Sequence, residues 1–381
     1  MIPMNNPVPF NRASLLGNEM EYVARAISTS RIAGDGEFTR RCSTLLEQAL
    51  GVPRVLLTTS CTHALEMTAL LLDIGPGDEV IIPSFTFVST VNAFVLRGAT
   101  PVFIDVHEST LNLDESQLER RISRRTKAVV PVHYAGVGCA MERIMEIALA
   151  HRVAVIEDNA HGLFGKYGGR YLGTFGTFGT QSFHETKNFV CGEGGAILLN
   201  DPAYIERAEI IREKGTDRSR FFRGQVDKYT WVEPGSSYLP SDILAAFLLG
   251  QLEQRDAVRE RRRKIWDRYQ AEIAPWAAGA GLRLPVIPAG CEHPYHMYYL
   301  LTPSLAKRQA LIAHLRERGI AAVFHYLPLH LSGMGRRLGG KPGDCPVTED
   351  VSERLLRLPF YYDLTDEAQD AVIRALKEFF L

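Results

Sequence analysis

The sequence predicts an α/β protein built on a parallel sheet with both faces covered, followed by a smaller α/β unit. Three observations lead there. Five apolar, strand-like runs recur between residues 54 and 159. Helix-like amphipathic stretches separate most of them, and strands apolar on both faces that alternate with helices belong to sheets buried under helical layers. After residue 200 the alternation gives way to longer helical periodicities.

The elements follow in order. Met20, Val23 and Ile27 stand at helical spacing and predict a helix over 17–29. A second helix is expected over 38–50, stopped by Gly51. The strand runs are RVLLTT (54–59), EVIIPS (79–84), TPVFIDV (100–106), KAVVPVH (127–133) and VAVIEDN (153–159), with helices over 62–73, 86–97, 114–123 and 139–151. A helix over 202–213 leads into a polar, aperiodic segment, 214–236. A stretch of that length without secondary structure is functional or disordered. Long helical patterns fill 240–275, a strand–helix–strand pattern fills 296–326, and helices over 348–357 and 364–379 close the chain.

Charge narrows the function. Lys plus Arg is 43 and Asp plus Glu is 44 among 381 residues, a net charge of -1. A dedicated nucleic-acid binder shows a basic excess, whereas a small anionic ligand needs only a local cluster. The opening MIPMNNPVPFNRAS lacks the charged start and apolar core of a signal peptide. No apolar run reaches the roughly 18 residues of a membrane helix. Cys42, Cys61, Cys139, Cys191, Cys291 and Cys345 are scattered, without a CxxC pair or metal-ligand spacing. Reduced thiols, no metal and a cytoplasmic location are therefore expected. The chain also lacks the P-loop, HExxH and G-x-S-x-G motifs, and GEGG at 192–195 does not have dinucleotide-binding spacing.

Open parallel sheets bind ligands at the carboxyl ends of their strands. The residues there are Ser60, Cys61 and Thr62, then Ser84 to Phe87, His133 and Tyr134, Asp158 to His161, and finally Ser182, His184 and Lys187 in SFHETKN. Each has a plain structural reading. Ser60–Thr62 opens a helix, so its hydroxyls serve either as a cap or as a phosphate cup. Asp158 ends a buried strand, as members of structural ion pairs do, and Phe87 suits a core as well as a stacking platform. Taken together they match what pyridoxal phosphate needs: an amine for its aldehyde, an acid for its pyridine nitrogen, a phosphate cup and a ring-stacking group.

The stretches SCTHALEMTAL, GDEVIIPSFTFVSTVNAFVLRGA, VPVHYAG, IEDNAHG, SFHETKN, EGGAI, FHYLPLH and SERLLRLP span nearly the whole chain. In this order they resemble the sugar aminotransferases of the DegT/StrS class. The resemblance implies fold type I (aspartate-aminotransferase-like): a large, mostly parallel mixed-sheet domain with preceding helices over 1–254, and a smaller C-terminal α/β domain over 255–381. It implies that Lys187 carries the cofactor covalently and shuttles protons, and that Asp158 pairs with the pyridine nitrogen. His161 would lie near the ring, where many members have Gln, and Phe87 would stack on it. Ser60, Cys61, Thr62 and Ser182 would hold the phosphate. Family members often complete that cup from a neighbouring subunit, here from GSSYLPSDILAA with Ser237, so a homodimer with shared sites is expected.

For the substrates the resemblance implies L-glutamate as donor and TDP-4-keto-6-deoxyglucose as acceptor, aminated at carbon 4 to the galacto product. The gluco epimer and carbon-3 amination are the alternatives. Arg212, Lys214, Arg218, Arg220, Arg223 and Lys228, with Phe221, Phe222, Tyr229 and Trp231, suit a diphosphate and a base. Of these, Arg220, Arg223, Lys228 and Tyr229 are the expected substrate contacts, together with His325, Tyr326 and His330 in FHYLPLH. Related sugar dehydratases carry His in place of the lysine, so Lys187 speaks for amino transfer. A non-catalytic cofactor-binding protein would not need this full set of groups.

Overall fold

The computed structural model describes residues 7–381. The first six residues, on which the expectation of no leader partly rests, lie outside the described residues. All five expected strand runs form: β1 (Arg54–Thr58), β2 (Glu79–Pro83), β3 (Thr100–Ile104), β4 (Thr126–Val129) and β5 (Ala154–Asp158). After a short hairpin, β6 (Lys166–Tyr167) and β7 (Arg170–Tyr171), come β8 (Phe178–Ser182) and β9 (Gly195–Leu199). The large sheet has the order β1-β9-β8-β5-β4-β2-β3. Its strands run parallel except β9, which lies antiparallel between β8 and β1.

Side chains of successive residues point to opposite faces of a strand, and both faces are buried. In β1, Leu56 joins Ile82, Ile197 and the helices α3 (Cys61–Leu71) and α4 (Val88–Val95) in one apolar cluster. Its neighbours Val55 and Leu57 join the cluster on the other side, with Phe38 and Leu46 of α2 (Glu37–Leu50). The helix α1 (Glu19–Ser28) precedes α2, which ends at Gly51 with φ 69°, a left-handed cap that glycine adopts without steric penalty. A third cluster under α6 (Met141–His151) contains Ile81 and Val129. Between them, 114–123 holds a 3-10 turn and the four-residue α5 (Leu118–Arg121).

The 202–213 pattern contains α7 (Ile205–Arg212). The polar segment after it is ordered rather than structureless. It contains α8 (Arg218–Phe222), and the isolated bridges Glu213↔Ser237 and Thr216↔Trp231 close its base. Next come α9 (Asp242–Glu253), which packs on α1 and α2, and the long α10 (Arg255–Ala277).

Beyond it, β10 (Cys291–Glu292) pairs with β6. The expected strand–helix–strand forms as β11 (Tyr299–Leu301), α11 (Leu305–Glu317) and β12 (Val323–Phe324), followed by α12 (Gly333–Arg337). The helix expected over 348–357 is shorter: α13 (Pro346–Arg354) stops at Arg354, and β13 (Leu355–Arg357) is the central strand between β11 and β12. Backbone groups that a helix would have used internally serve the two flanking strands. The closing helix is α14 (Asp366–Phe380). Tyr269, Tyr298, Leu311, Leu356 and Val372 form the core here, and Val8 joins it through a parallel bridge to Ile320. Among the described residues no helix is long and apolar enough to cross a membrane.

One buried carboxylate fixes the end of β5. Glu157 is fully buried and accepts from the N–H groups of Gly173 (2.7 Å), Phe175 (2.6 Å) and Gly176 (2.8 Å). His133 Nε2 donates to it at 2.9 Å, while His133 Nδ1 accepts from the Cys139 N–H at 3.1 Å. His133 is thus a structural residue, and the next residue of the strand, Asp158, is held against a rigid loop. Removing one partner of a buried, hydrogen-bonded charge costs about 3–5 kcal/mol. Glu157→Ala is expected to lose stability on that scale in denaturant titrations, and a loss below about 1 kcal/mol would contradict this role.

Candidate active site

The carboxyl ends of β1, β2, β5 and β8 open onto a cavity of about 540 Å³. Ser60, Cys61, Thr62, Phe87, Asp158, His161, Ser182 and Lys187 all line it, as do His325 and Tyr326. Most of the expected site therefore converges on one space.

The phosphate-cup candidates sit at the start of α3. The Ser60 hydroxyl caps the helix by accepting the His63 N–H at 3.1 Å, and Thr62 Oγ1 donates to Ser89 Oγ at 2.8 Å. The first amides of a helix lack intrahelical partners and attract anions, so capping and anion binding coexist here. Gly195 makes this geometry possible: a Cβ there would fall 2.3 Å from the Ser60 carbonyl carbon and 2.4 Å from the Cys61 nitrogen. No larger residue would let β9 lie against the helix start.

Asp158 is buried, with one oxygen accepting from Thr90 Oγ1 at 2.7 Å and the other from the Ala160 N–H at 3.2 Å. Thr90 is itself linked to Thr86 at 2.9 Å. Among the described residues no cationic side chain lies within 4.0 Å of the Asp158 carboxylate, so the structural ion-pair reading is not met. Lys187 follows β8 in the turn before β9, with its N–H bonded to the His184 carbonyl at 2.9 Å. Burial pulls the Lys187 amine down to about 8; Cys61 and Asp158 oppose that shift, and Arg357 reinforces it. Burial, with Asp158 next in effect, pushes the Cys61 thiol far up, so it remains protonated.

His161 stacks on His296, with ring centroids 4.3 Å apart, and its Nδ1 is buried without a partner. Burial holds His161, His296 and His325 well below the usual histidine range, with nearby Lys187 and Arg357 acting the same way. Three neutral imidazoles thus line one wall. Phe87 is 56% exposed at the cavity, a free aromatic face rather than a core residue. An amine reactive at neutral pH, an acid without a cation, a helix start with hydroxyls and an open ring together fit pyridoxal phosphate.

Other expected contacts lie elsewhere. His330 is fully buried outside the cavity lining, with Nδ1 bonded to Ser84 Oγ (2.6 Å) and Nε2 to Glu349 Oε1 (3.0 Å). Both its polar atoms are used in tying the chain to the sheet rim. Arg220 pairs with Glu206, and Arg223 pairs with Glu209 at 2.7 Å. Arg212 pairs with Asp35, while Lys214 and Arg218 share Glu213. The segment is therefore not the free cationic patch that counting charges suggests. Lys228, Tyr229 and Ser237 are exposed and do not line this chain's cavity. Sequence reasoning missed His296, Thr90 and Arg357, which also line it.

The model of the DegT/DnrJ/EryC1/StrS aminotransferase family matches residues 14–377. The chain belongs to this family. It is similar to GDP-perosamine synthase of Escherichia coli O157:H7, 32% identical over 377 residues and 98% of each chain. Among solved structures it is similar to the putative sugar aminotransferase Spr1654 from Streptococcus pneumoniae, seen in PLP- and PMP-forms, with a TM-score of 0.91, 27% identity and 98% of each chain covered. It is also similar to DesV of S. venezuelae in complex with a ketimine intermediate, with a TM-score of 0.89, 29% identity, and 98% of this chain and 99% of that one covered. The protein is a pyridoxal-phosphate-dependent sugar aminotransferase of fold type I.

The lowered lysine pKa has a direct signature. The amine is neutral above about pH 8 and protonated below it. Capture of pyridoxal phosphate by the apoprotein, followed by its yellow absorbance, is expected to quicken about fivefold from pH 7 to 8 and less than about twofold from 8 to 9. A roughly tenfold gain per unit through pH 9 would mean an ordinary lysine.

Proposed function

We propose that the enzyme moves the amino group of L-glutamate to carbon 4 of TDP-4-keto-6-deoxyglucose, giving TDP-4-amino-4,6-dideoxygalactose and 2-oxoglutarate. The observation that carries the chemistry is the pairing, in one cavity, of Asp158 without a cation partner and Lys187 with an amine near neutrality. The choice of sugar is supported by the sequence stretches that resemble carbon-4 sugar aminotransferases, including AGDGEFTRRC, EIIREKGTDRSRFFRGQVDKYTW and GSSYL.

When bound, pyridoxal phosphate supplies an aldehyde and a ring that accepts electrons. Asp158 would face the ring nitrogen and, as a carboxylate, keep the proton on it; Thr90 and the Ala160 N–H hold that carboxylate in place. Lys187 Nζ takes the proton from the α-carbon of the donor and delivers one to carbon 4 of the sugar, as a general acid–base. The α3 start with Thr62, together with Ser182, holds the phosphate. His161 lies against the ring side of the cavity as a neutral imidazole, its free Nδ1 available to a polar group.

The direction of proton delivery decides the product. Incubation with L-glutamate and the keto sugar is expected to give an amine on carbon 4 with a small coupling between the protons of carbons 3 and 4 in NMR. A large coupling would mean the gluco epimer. An amine on carbon 3, or a preference for a GDP-linked sugar, would refute the substrate assignment.

The same reading includes a homodimer with shared sites in the cytoplasm. Phe222, Tyr229 and Trp231 are more than half exposed on the 213–237 excursion, away from this chain's own cavity. Large aromatic rings exposed together mark an interaction surface. Across a two-fold interface this excursion and Ser237 would face the partner's phosphate cup. Lys187→Ala chains mixed with Lys228→Ala/Tyr229→Ala chains are then expected to regain up to roughly a quarter of wild-type sites by random pairing. No gain on mixing would refute site sharing.

A further inference from the structure

Asn188, the residue after Lys187, ties the turn of the amine to a strap of chain at 294–296. Its Nδ2 donates to the Pro294 carbonyl at 2.8 Å, and its Oδ1 lies 2.9 Å from His296 Nδ1. The first bond decides the second. A carbonyl only accepts, so the amide turns its NH2 to Pro294 and its oxygen to the ring. His296 Nδ1 is then the donor. Burial first, then His161, Lys187, Arg357 and Arg262, hold His296 well below the usual histidine range. A neutral imidazole carries one N–H, and here it points at Asn188.

The strap is built to hold that ring still. Pro294 is wedged against the large unit: a Cβ on Gly136 would fall 2.5 Å from Pro294 Cδ, and one on Gly165 would fall 3.0 Å from it. Tyr295 has φ 55°, a left-handed conformation that is costly for a bulky residue. Arg262 of α10 braces the strained residue, donating from Nε to the Tyr295 carbonyl at 2.9 Å and from Nη2 to the His296 carbonyl at 2.6 Å. Arg262 is buried. Unlike Arg261 and Arg263 beside it, it has no carboxylate within 4.0 Å among the described residues. Strained backbone persists only where its surroundings over-determine it. A wedged proline, a buried guanidinium and Asn188 do so here.

The His296 ring has a second neighbour. It stacks on His161 with 17° between the planes, so one imidazole joins Asn188 to the cavity wall. The Lys187 N–H bonds within its own turn, to the His184 carbonyl, whereas the side chain of Asn188 reaches the strap.

We infer that His296 and Asn188 are positioning residues for Lys187, an inference that rests on the reading of Lys187 as the residue that carries the cofactor. The His296 Nδ1–H, accepted by Asn188 Oδ1, clamps the turn of the amine to the strap. The clamp holds the amine in its buried place and keeps water from it.

The consequence for Lys187 has a sign. The groups facing it are Cys61 at the start of α3, Asp158 at the end of β5, and His161, His296, His325, Tyr326 and Arg357. His184 and Glu193 stand at the cavity edge. Burial is the largest influence on the amine and favours its neutral form. A loosened turn admits water, which favours the charged form and raises the pKa. Capture of pyridoxal phosphate needs the neutral amine, so its pH midpoint then moves up.

Capture by the apoprotein is followed by yellow absorbance across pH for wild type, His296→Phe, His296→Asn, Asn188→Ala and the double variant Asn188→Ala/His296→Phe. Thermal melting of each is recorded alongside. Wild type is expected to show a midpoint near pH 8. His296→Phe keeps a ring without the donor, and Asn188→Ala removes the acceptor. Each is expected to raise the midpoint by about one pH unit or more. The double variant is expected to move no further than either single one, because both remove the same bond. His296→Asn places an amide N–H where Nδ1 stood and is expected to stay within about 0.3 pH units of wild type.

Lower melting temperatures with unmoved midpoints would make both residues merely structural and overturn the inference. A shift in His296→Asn equal to or larger than that in His296→Phe would assign the effect to the stack with His161 and overturn it as well. Shifts that add in the double variant would do the same. If His296→Phe does not fold, Asn188→Ala decides alone by the same midpoint. Lys187→Ala giving the same yellow species over the same pH course would remove the premise and the clamp with it, while the other outcomes leave the premise standing.

Discussion

The antiparallel placement of β9 between β8 and β1 governs the site. Had β9 run parallel to β8, the chain would have left the carboxyl rim and crossed a face of the sheet before returning. Because it runs opposite, the chain turns back on the rim itself, and residues 183–194 stay there with Lys187 among them. The same strand then carries Gly195 against Ser60, which fixes the helix start that offers its amides. One reversal of strand direction thus brings an amine and an anion cup to the same edge. The parallel neighbour of β8, β5, adds Asp158, backed by the hydrogen bonds of Glu157.

The cavity also has a division of charge. Burial holds His161, His296 and His325 neutral, and the Cys61 thiol is protonated for the same reason. Beside them on the lining stand Asp158, Lys187 and Arg357, with Glu193 at its edge near His184. Lys187 lies between the other two in effect: one carboxylate favours its protonated form and one guanidinium opposes it. Burial is the largest influence on it and lowers its pKa.

Much of this was legible in the sequence, and the exceptions have physical causes. Five of the seven strands of the large sheet were readable because each lies in a mostly apolar run that needs both faces covered, whereas β8, FGTQS, carries no such run. Asp158 stood out because it ends such a run, and Lys187 because it lies in the polar turn between SF and GGAILLN. Arg357 was hidden inside SERLLRLP, because three residues of strand paired on both sides look like the end of a helix when the partners are unknown. The 212–228 cations looked like a free patch for the same kind of reason. Their carboxylates, Asp35, Glu206 and Glu209, come from other elements and meet them only in the folded chain. His330 looked like a pocket residue beside His325, yet five positions along an irregular segment are enough to turn one ring inward to Ser84 and leave the other at the cavity.

The packing of Val8 and Phe10 against residues 320–360 sets an order of assembly. Val8 bridges to Ile320, Phe10 lies over Arg357, and the Phe360 N–H bonds to the Phe10 carbonyl. During synthesis the large sheet has all its strands once residue 199 has emerged, and domains commonly fold as they leave the ribosome. Val8 and Phe10 must wait for their partners until residues 320–360 have been made. A nascent chain therefore holds Lys187 and Asp158 on a formed rim while the wall that carries Arg357 does not yet exist. A chain cut short of β13 would keep Lys187 and Asp158 on the rim but lack the wall that carries Arg357, so the two sides of one cavity are made far apart in time.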